Sequence, residues 1–198
     1  DLQAVPGDGR SVTDQRAPLF QLPSADGSEI ALVDCLAQGP TIVWFSRGLS
    51  CSFCRRHRVQ LTLNYPAFRH LGAEILEVTP TPVNLATFYL SRYQLAFPYL
   101  CDPRGVVAEM YGVKRGTYEP LMALRVMLAD TLGSKEIMRE YLHGPKLEPT
   151  AEEMANGGSN EGFFIVDRSG TVRLATVGPH IGVPSNDEVE RQLRRIIG

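Results

Sequence analysis

Two cysteines in the segment Cys51-Ser52-Phe53-Cys54 could do redox chemistry, and their setting says how. The thiolate, not the thiol, is the nucleophile, and a helix N-terminus stabilises it with partial positive charge and unpaired N–H groups. Residues i and i+3 share one helix face, so the second sulfur can attack a mixed disulfide formed by the first. Such a device needs a strand that stops just before it and a helix that starts with it. The run Thr41-Ile42-Val43-Trp44-Phe45 is short, β-branched and aromatic, bounded by Gly39-Pro40 and Gly48, and reads as a buried strand. After Ser50 the stretch Arg55–Leu63 holds no Gly or Pro, and the chain reads as a helix to about Phe68.

Other uses of the pair stay open at this level. A structural zinc site wants four ligands, usually from two such knuckles, and no second C-x-x-C exists in the chain. His57 would be a third ligand, but a single His on a helix reads better as a solvated or capping side chain. Inert core cysteines are a further alternative. Haem attachment fails because Arg55, not His, follows Cys54. Arg47, Arg55, Arg56 and Arg58 surround the pair. They make either a solvated basic face or a local positive field that stabilises a thiolate or draws in an anion.

The remaining composition bounds the class. With 198 residues, 43% hydrophobic and 21% charged, the chain suits one domain, or one domain with an insertion. A net charge of −2 gives no support for nucleic-acid binding. Four cysteines do not make a disulfide scaffold at this length, and Cys35 and Cys101, in apolar surroundings, read as packed free thiols. No run approaches the roughly 18 apolar residues of a membrane span. No signal sequence opens the chain, so a cytoplasmic setting is expected, although a chain starting at Asp1 leaves a processed leader open.

Along the chain, residues 1–16 read as an irregular arm. A hairpin follows, Leu19–Leu22 and Glu29–Leu32 about an Asp26-Gly27 turn. After the cysteine helix come a strand at Ala73–Val78, a helix at Val83–Tyr93, a short strand at Pro98–Leu100 and a short helix at Val106–Tyr111. Gly116 to about Glu153 is helix-like, with a Met and Leu stripe that reads as core or lid. Two strands, Gly162–Val166 and Thr171–Val177, and an amphipathic helix, Asn186–Ile197, close the chain. The order predicts an α/β fold, a central mixed sheet flanked by helices.

These pieces in this order resemble the alkyl hydroperoxide reductase and thiol-specific antioxidant family, the peroxiredoxin and redoxin branch of the thioredoxin-like proteins. The resemblance runs from Ala17-Pro18-Leu19-Phe20 through Val43-Trp44-Phe45-Ser46-Arg47-Gly48 into Cys51–Arg55. It continues with Phe97-Pro98-Tyr99-Leu100-Cys101-Asp102-Pro103 and Met110-Tyr111-Gly112-Val113, and closes with Gly162–Val172. It implies a thioredoxin-like fold over 17–198, with an N-terminal hairpin and a helical insertion at about 116–157. It also implies an enzyme in which Cys51 and Cys54 reduce peroxides or disulfides through an intramolecular disulfide, without a cofactor or metal. An external dithiol, such as a thioredoxin-type protein, would restore the pair, and a homodimer is expected. Neither nucleic acid nor membrane is an expected partner.

The departures are specific. The family pattern P-x-x-x-T-x-x-C, counted back from Cys54, meets Cys51 and Arg47; counted back from Cys51, it meets Gly48 and Trp44. The family's peroxide-binding Arg position holds Glu161, and Ser50 stands where related reductases carry Trp. A carboxylate there repels a thiolate, with Arg47 or Arg125 as the compensating charge. Arg47, Ser50, Arg55 and Glu161 are therefore the supporting candidates around Cys51 and Cys54. The rival functions are a redox sensor or partner-binding module without peroxidase turnover, and a metal-binding module.

Overall fold

The computed structural model describes residues 13–91, 95–113, 148–156, 160–178 and 183–198. Its centre is β3 (Thr41–Phe45), all five residues of which are buried. A strand with both faces covered reads as a continuous apolar run, which is what Thr41–Phe45 supplies. Parallel to it lies β4 (Glu74–Thr79), followed outward by β5 (Tyr99–Cys101); antiparallel on its other side lie β6 (Glu161–Val166) and then β7 (Val172–Gly178). The mixed sheet expected from the sequence is thus ordered β5-β4-β3-β6-β7.

The expected hairpin, β1 (Gln21–Pro23) with β2 (Glu29–Ala31), forms a separate two-stranded sheet, joined to β5 by a Ser24–Leu100 bridge. Residues of the N-terminal arm lie along the other edge. Asp14 N donates to Val172 O, Val172 N donates to Gln15 O, and Arg16 bridges Thr171.

Alternation along the strands sorts the core into two layers. Ile42, Trp44, Phe163 and Ile165 face Leu61 and Phe68 of α2 (Ser52–His70) and Val189 and Leu193 of α6 (Asn186–Ile197). Val43, Phe45, Phe164 and Val166 face Leu32 and Leu36 of α1 (Leu32–Gln38) and Val107 and Ala108 of α4 (Val106–Met110). Each such large side chain contributes about 1.5–3 kcal/mol of burial. The cysteine helix therefore sits across the sheet from the hairpin, over Trp44.

Several boundaries differ from the sequence reading. Leu32 opens α1 instead of ending a strand, because Leu32 and Leu36 recur at helical spacing and bury together. The cysteine helix runs through Pro66 to His70, held by Leu61 and Phe68 on either side of the proline. The helix expected at 83–93 is α3 (Val83–Leu90), and residues 92–94 lie outside the described set. Of the helix-like stretch at 116–153, residues 114–147, with Arg125, lie outside the described residues; its end enters α5 (Ala151–Asn156).

Candidate active site

Where β3 ends, the chain crosses Ser46-Arg47-Gly48-Leu49-Ser50 and enters α2. This loop is held from two sides. Arg55, on the first turn of α2, donates through Nη1 to the carbonyls of Leu49 (2.9 Å) and Ser50 (3.1 Å). From α5, the buried Glu153 accepts from Leu49 N (2.9 Å) and from Thr81 Oγ1 (2.6 Å) through the same oxygen. Gly48 has φ +103°, and a Cβ there would run into the Glu153 carboxylate, so only glycine fits.

Cys51 caps α2. Its Sγ accepts from Cys54 N at 3.1 Å, and the two cysteines are joined as a disulfide with Cα atoms 5.3 Å apart. Cys51 is half-buried, whereas Cys54 has no exposed surface. Arg47 reaches both sulfurs: Nη2 donates to Cys51 Sγ at 3.1 Å and its main-chain N–H to Cys54 Sγ at 3.4 Å. The guanidinium also lies 5.9 Å from the Phe53 ring centroid.

Glu161 begins β6 and lies beneath Cys54, with 2% of its surface exposed. Its Oε1 is 3.4 Å from Cys54 Sγ and 3.8 Å from Arg47 Nε, and its Oε2 accepts from Trp44 Nε1 at 3.3 Å. The carboxyl therefore faces the inner sulfur, while the Arg47 side chain serves both Glu161 and Cys51.

The structure thus brings Cys51, Cys54, Arg47, Arg55 and Glu161 together, and Ser50 contributes its carbonyl. Two other basic residues go elsewhere. His57, read as solvated or capping, is buried, 4.8 Å from the Trp44 ring and 6.0 Å from Phe163. Arg58 turns away to form a two-pronged pair with Glu77, both contacts at 2.6 Å. Sequence reasoning missed Trp44, Thr81 and Glu153 as site residues. For Glu153 a signal existed: Thr150-Ala151-Glu152-Glu153 has capping-box spacing, and Glu153 N donates to Thr150 Oγ1 while Thr150 N donates to Glu153 Oε2.

The other two thiols are placed for packing. Burial pushes the Cys101 thiol up to about 12, and burial, with help from Glu74, also raises Cys35, which is half-buried rather than fully packed. For a metal, the ligand atoms of Cys51, Cys54 and Glu161 lie within 4.8 Å of one another. Among the described residues this group stops at three, one short of a closed structural zinc site.

A C-x-x-C disulfide at the head of the helix after the central strand, on a mixed sheet of this order, is the arrangement of a thioredoxin-like thiol oxidoreductase. The comparisons agree. The AhpC/TSA family model matches residues 13–175, and the chain belongs to this family. Among curated relatives, a Mycobacterium tuberculosis protein with a provisional peroxiredoxin name is 26% identical over 106 residues, 54% of this chain and 69% of the relative. A second, similarly named, is 33% identical over 98 residues, 49% and 61%. Among solved structures, the peroxidoxin BcpB of Mycobacterium tuberculosis superposes with a TM-score of 0.64 at 20% identity, over 93% of this chain and 97% of that one. A Chlorobium tepidum structure titled as a DsbE thiol:disulfide interchange protein gives 0.59 at 19% identity, over 94% and 98%. Likeness at these identities supports the fold.

Proposed function

We propose that Cys51 is the attacking nucleophile and Cys54 the resolving one, in an enzyme that reduces peroxides or disulfides and is itself restored by an external dithiol. The observation that carries this order is the contrast in access: Cys51 is half-buried at the helix tip against Arg47, and Cys54 is fully buried behind it. With a peroxide, the Cys51 thiolate attacks oxygen and becomes a sulfenic acid, the leaving oxygen departing as water or alcohol. Cys54 then attacks the Cys51 sulfur, water leaves, and the disulfide forms. With a disulfide substrate, Cys51 forms a mixed disulfide that Cys54 resolves.

Arg47 supplies the positive charge that stabilises the thiolate. Arg55 and Glu153 hold the loop that positions it. The proposed reductant is a thioredoxin-type dithiol protein, the proposed setting the cytoplasm, and the proposed assembly a homodimer. Among the described residues no helix is long and apolar enough to cross a membrane.

The test is rapid mixing of the reduced protein with hydrogen peroxide, an organic hydroperoxide and a protein disulfide, following free thiols and intact mass. Fast loss of two thiols to one intramolecular disulfide, with repeated turnover when a dithiol is supplied, supports an enzyme. Oxidation to the disulfide without turnover in excess reductant supports the sensor reading instead.

A further inference from the structure

Closing the disulfide requires Cys54 to lose a proton, and its sulfur has no exposed surface through which bulk water could take it. The carboxylate oxygen of Glu161 lies 3.4 Å from that sulfur. Trp44 Nε1 holds the other oxygen of Glu161, and Oε1 faces the Cys54 sulfur of the disulfide. We infer that Glu161 is the proton acceptor for Cys54 and hence a catalytic residue of disulfide formation, an inference that rests on the proposed order of attack.

In the reduced site the Cys54 S–H donates to Glu161 Oε1. As Cys54 attacks the Cys51 sulfur, its proton passes to Glu161, the new S–S bond forms, and the group on Cys51 leaves with its bonding electrons. When that group is hydroxide from a sulfenic acid, the proton now on Glu161 completes the water. In the reverse direction, a thiol of the external dithiol gives up its proton, its thiolate attacks Cys51, Cys54 leaves as thiolate, and the released proton reaches Cys54 through Glu161. The sum is one disulfide and one water from a sulfenic acid and a thiol, with no other reactant.

The electrostatics favour this route. Moving the proton leaves one negative charge in the pocket, on sulfur instead of oxygen. Arg47 faces it in both cases, through its Nε 3.8 Å from Glu161 and its main-chain N–H 3.4 Å from Cys54 Sγ. A site already arranged for both charge positions need not reorganise during the transfer.

The experiment mixes reduced protein with one equivalent of 5,5′-dithiobis(2-nitrobenzoate) and follows the yellow thiolate it releases. Attack by Cys51 releases the first equivalent; attack by Cys54 on the resulting mixed disulfide releases the second. In Glu161→Gln the first release persists and the second slows by about 100-fold near pH 7. That deficit closes as pH rises into the thiol's own ionisation range, where hydroxide replaces the missing base. Glu161→Asp, which keeps the carboxyl but withdraws it by one methylene, falls between the two and covers the case in which the Gln variant fails to fold. A wild-type rate of second release in Glu161→Gln, or a deficit equal at every pH, overturns the inference. Absence of a fast first release in the wild type overturns the functional reading beneath it.

Discussion

Glu77 on β4 and Glu161 on β6 flank Trp44 on one face of the sheet, and each meets an arginine. Glu77 is closed off: both its oxygens accept from Arg58 at 2.6 Å, and the Arg58 guanidinium lies 5.1 Å from the Tyr99 ring centroid. Burial works against that guanidinium's charge, but Glu77 outweighs it and holds Arg58 protonated. Glu161 is shared: its arginine stands off at 3.8 Å and also reaches Cys51, Trp44 donates to one oxygen, and the other faces a cysteine. The same two residue types thus make a closed pair on one side of Trp44 and, on the other, a pair shared with the cysteines, where we place the proton acceptor. A fully mutual pair has no charge left to respond to chemistry; a shared one does.

The largest effect expected from this contrast is on stability at the closed pair. Glu77→Ala leaves Arg58 buried without its partner and should cost about 3–5 kcal/mol in urea unfolding, while the cysteine pair still oxidises and reduces. A loss below about 1 kcal/mol would remove the distinction. At the shared pair the effect should be kinetic. Arg47→Met should slow attack by Cys51 about tenfold at neutral pH, since an adjacent opposite charge favours the ionised form by one or more powers of ten. Equal rates in stopped-flow thiol release would sink that role.

Asp167 gives an intermediate case, a carboxylate near the surface with several donors. It accepts from Ser169 N and Oγ, Thr171 N and Arg173 Nε, at 2.6 to 3.0 Å. Burial alone would raise its carboxyl, but these donors outweigh burial and lower it. A lowered folded value means that the stabilisation is present above the unfolded value and is lost as pH falls through the folded one. Asp167→Asn should therefore cost about 1–3 kcal/mol at pH 7, and the gap to wild type should shrink below about pH 4. A pH-independent gap would argue against it. The smallest effect concerns the thiols outside the pair: in the native reduced protein, Cys101 should resist iodoacetamide at pH 8 under conditions that label Cys51. Equal labelling would contradict its burial.

Much of the site was legible because its signals are local. A β-branched and aromatic run, a glycine and a C-x-x-C before a long helix specify strand, turn and capping cysteine within about 30 residues of chain. The sheet and both closing strands followed from alternation and turn residues. Distant partners left weaker traces. Arg47, Arg55 and Arg58 look alike in sequence, and only the crossing of α2 over the sheet sends Arg58 to Glu77 and leaves Arg47 with Cys51. His57 reads as a surface residue until Trp44 and Phe163 enclose it. Glu161 announced itself as a departure, but the sequence could not say which cysteine it would face; the register of β6 against β3 decides that. Glu153 required a capping box to be noticed at the end of a stretch that otherwise read as continuous helix.

The order of attack is tested most directly by single-turnover oxidation of Cys51→Ser and Cys54→Ser with a hydroperoxide in the presence of a sulfenic-acid trap, read by intact mass and peptide mapping. The account predicts one fast turnover in Cys54→Ser, with the adduct on Cys51, and no fast reaction in Cys51→Ser. Fast oxidation of Cys51→Ser, with the adduct on Cys54, would contradict it.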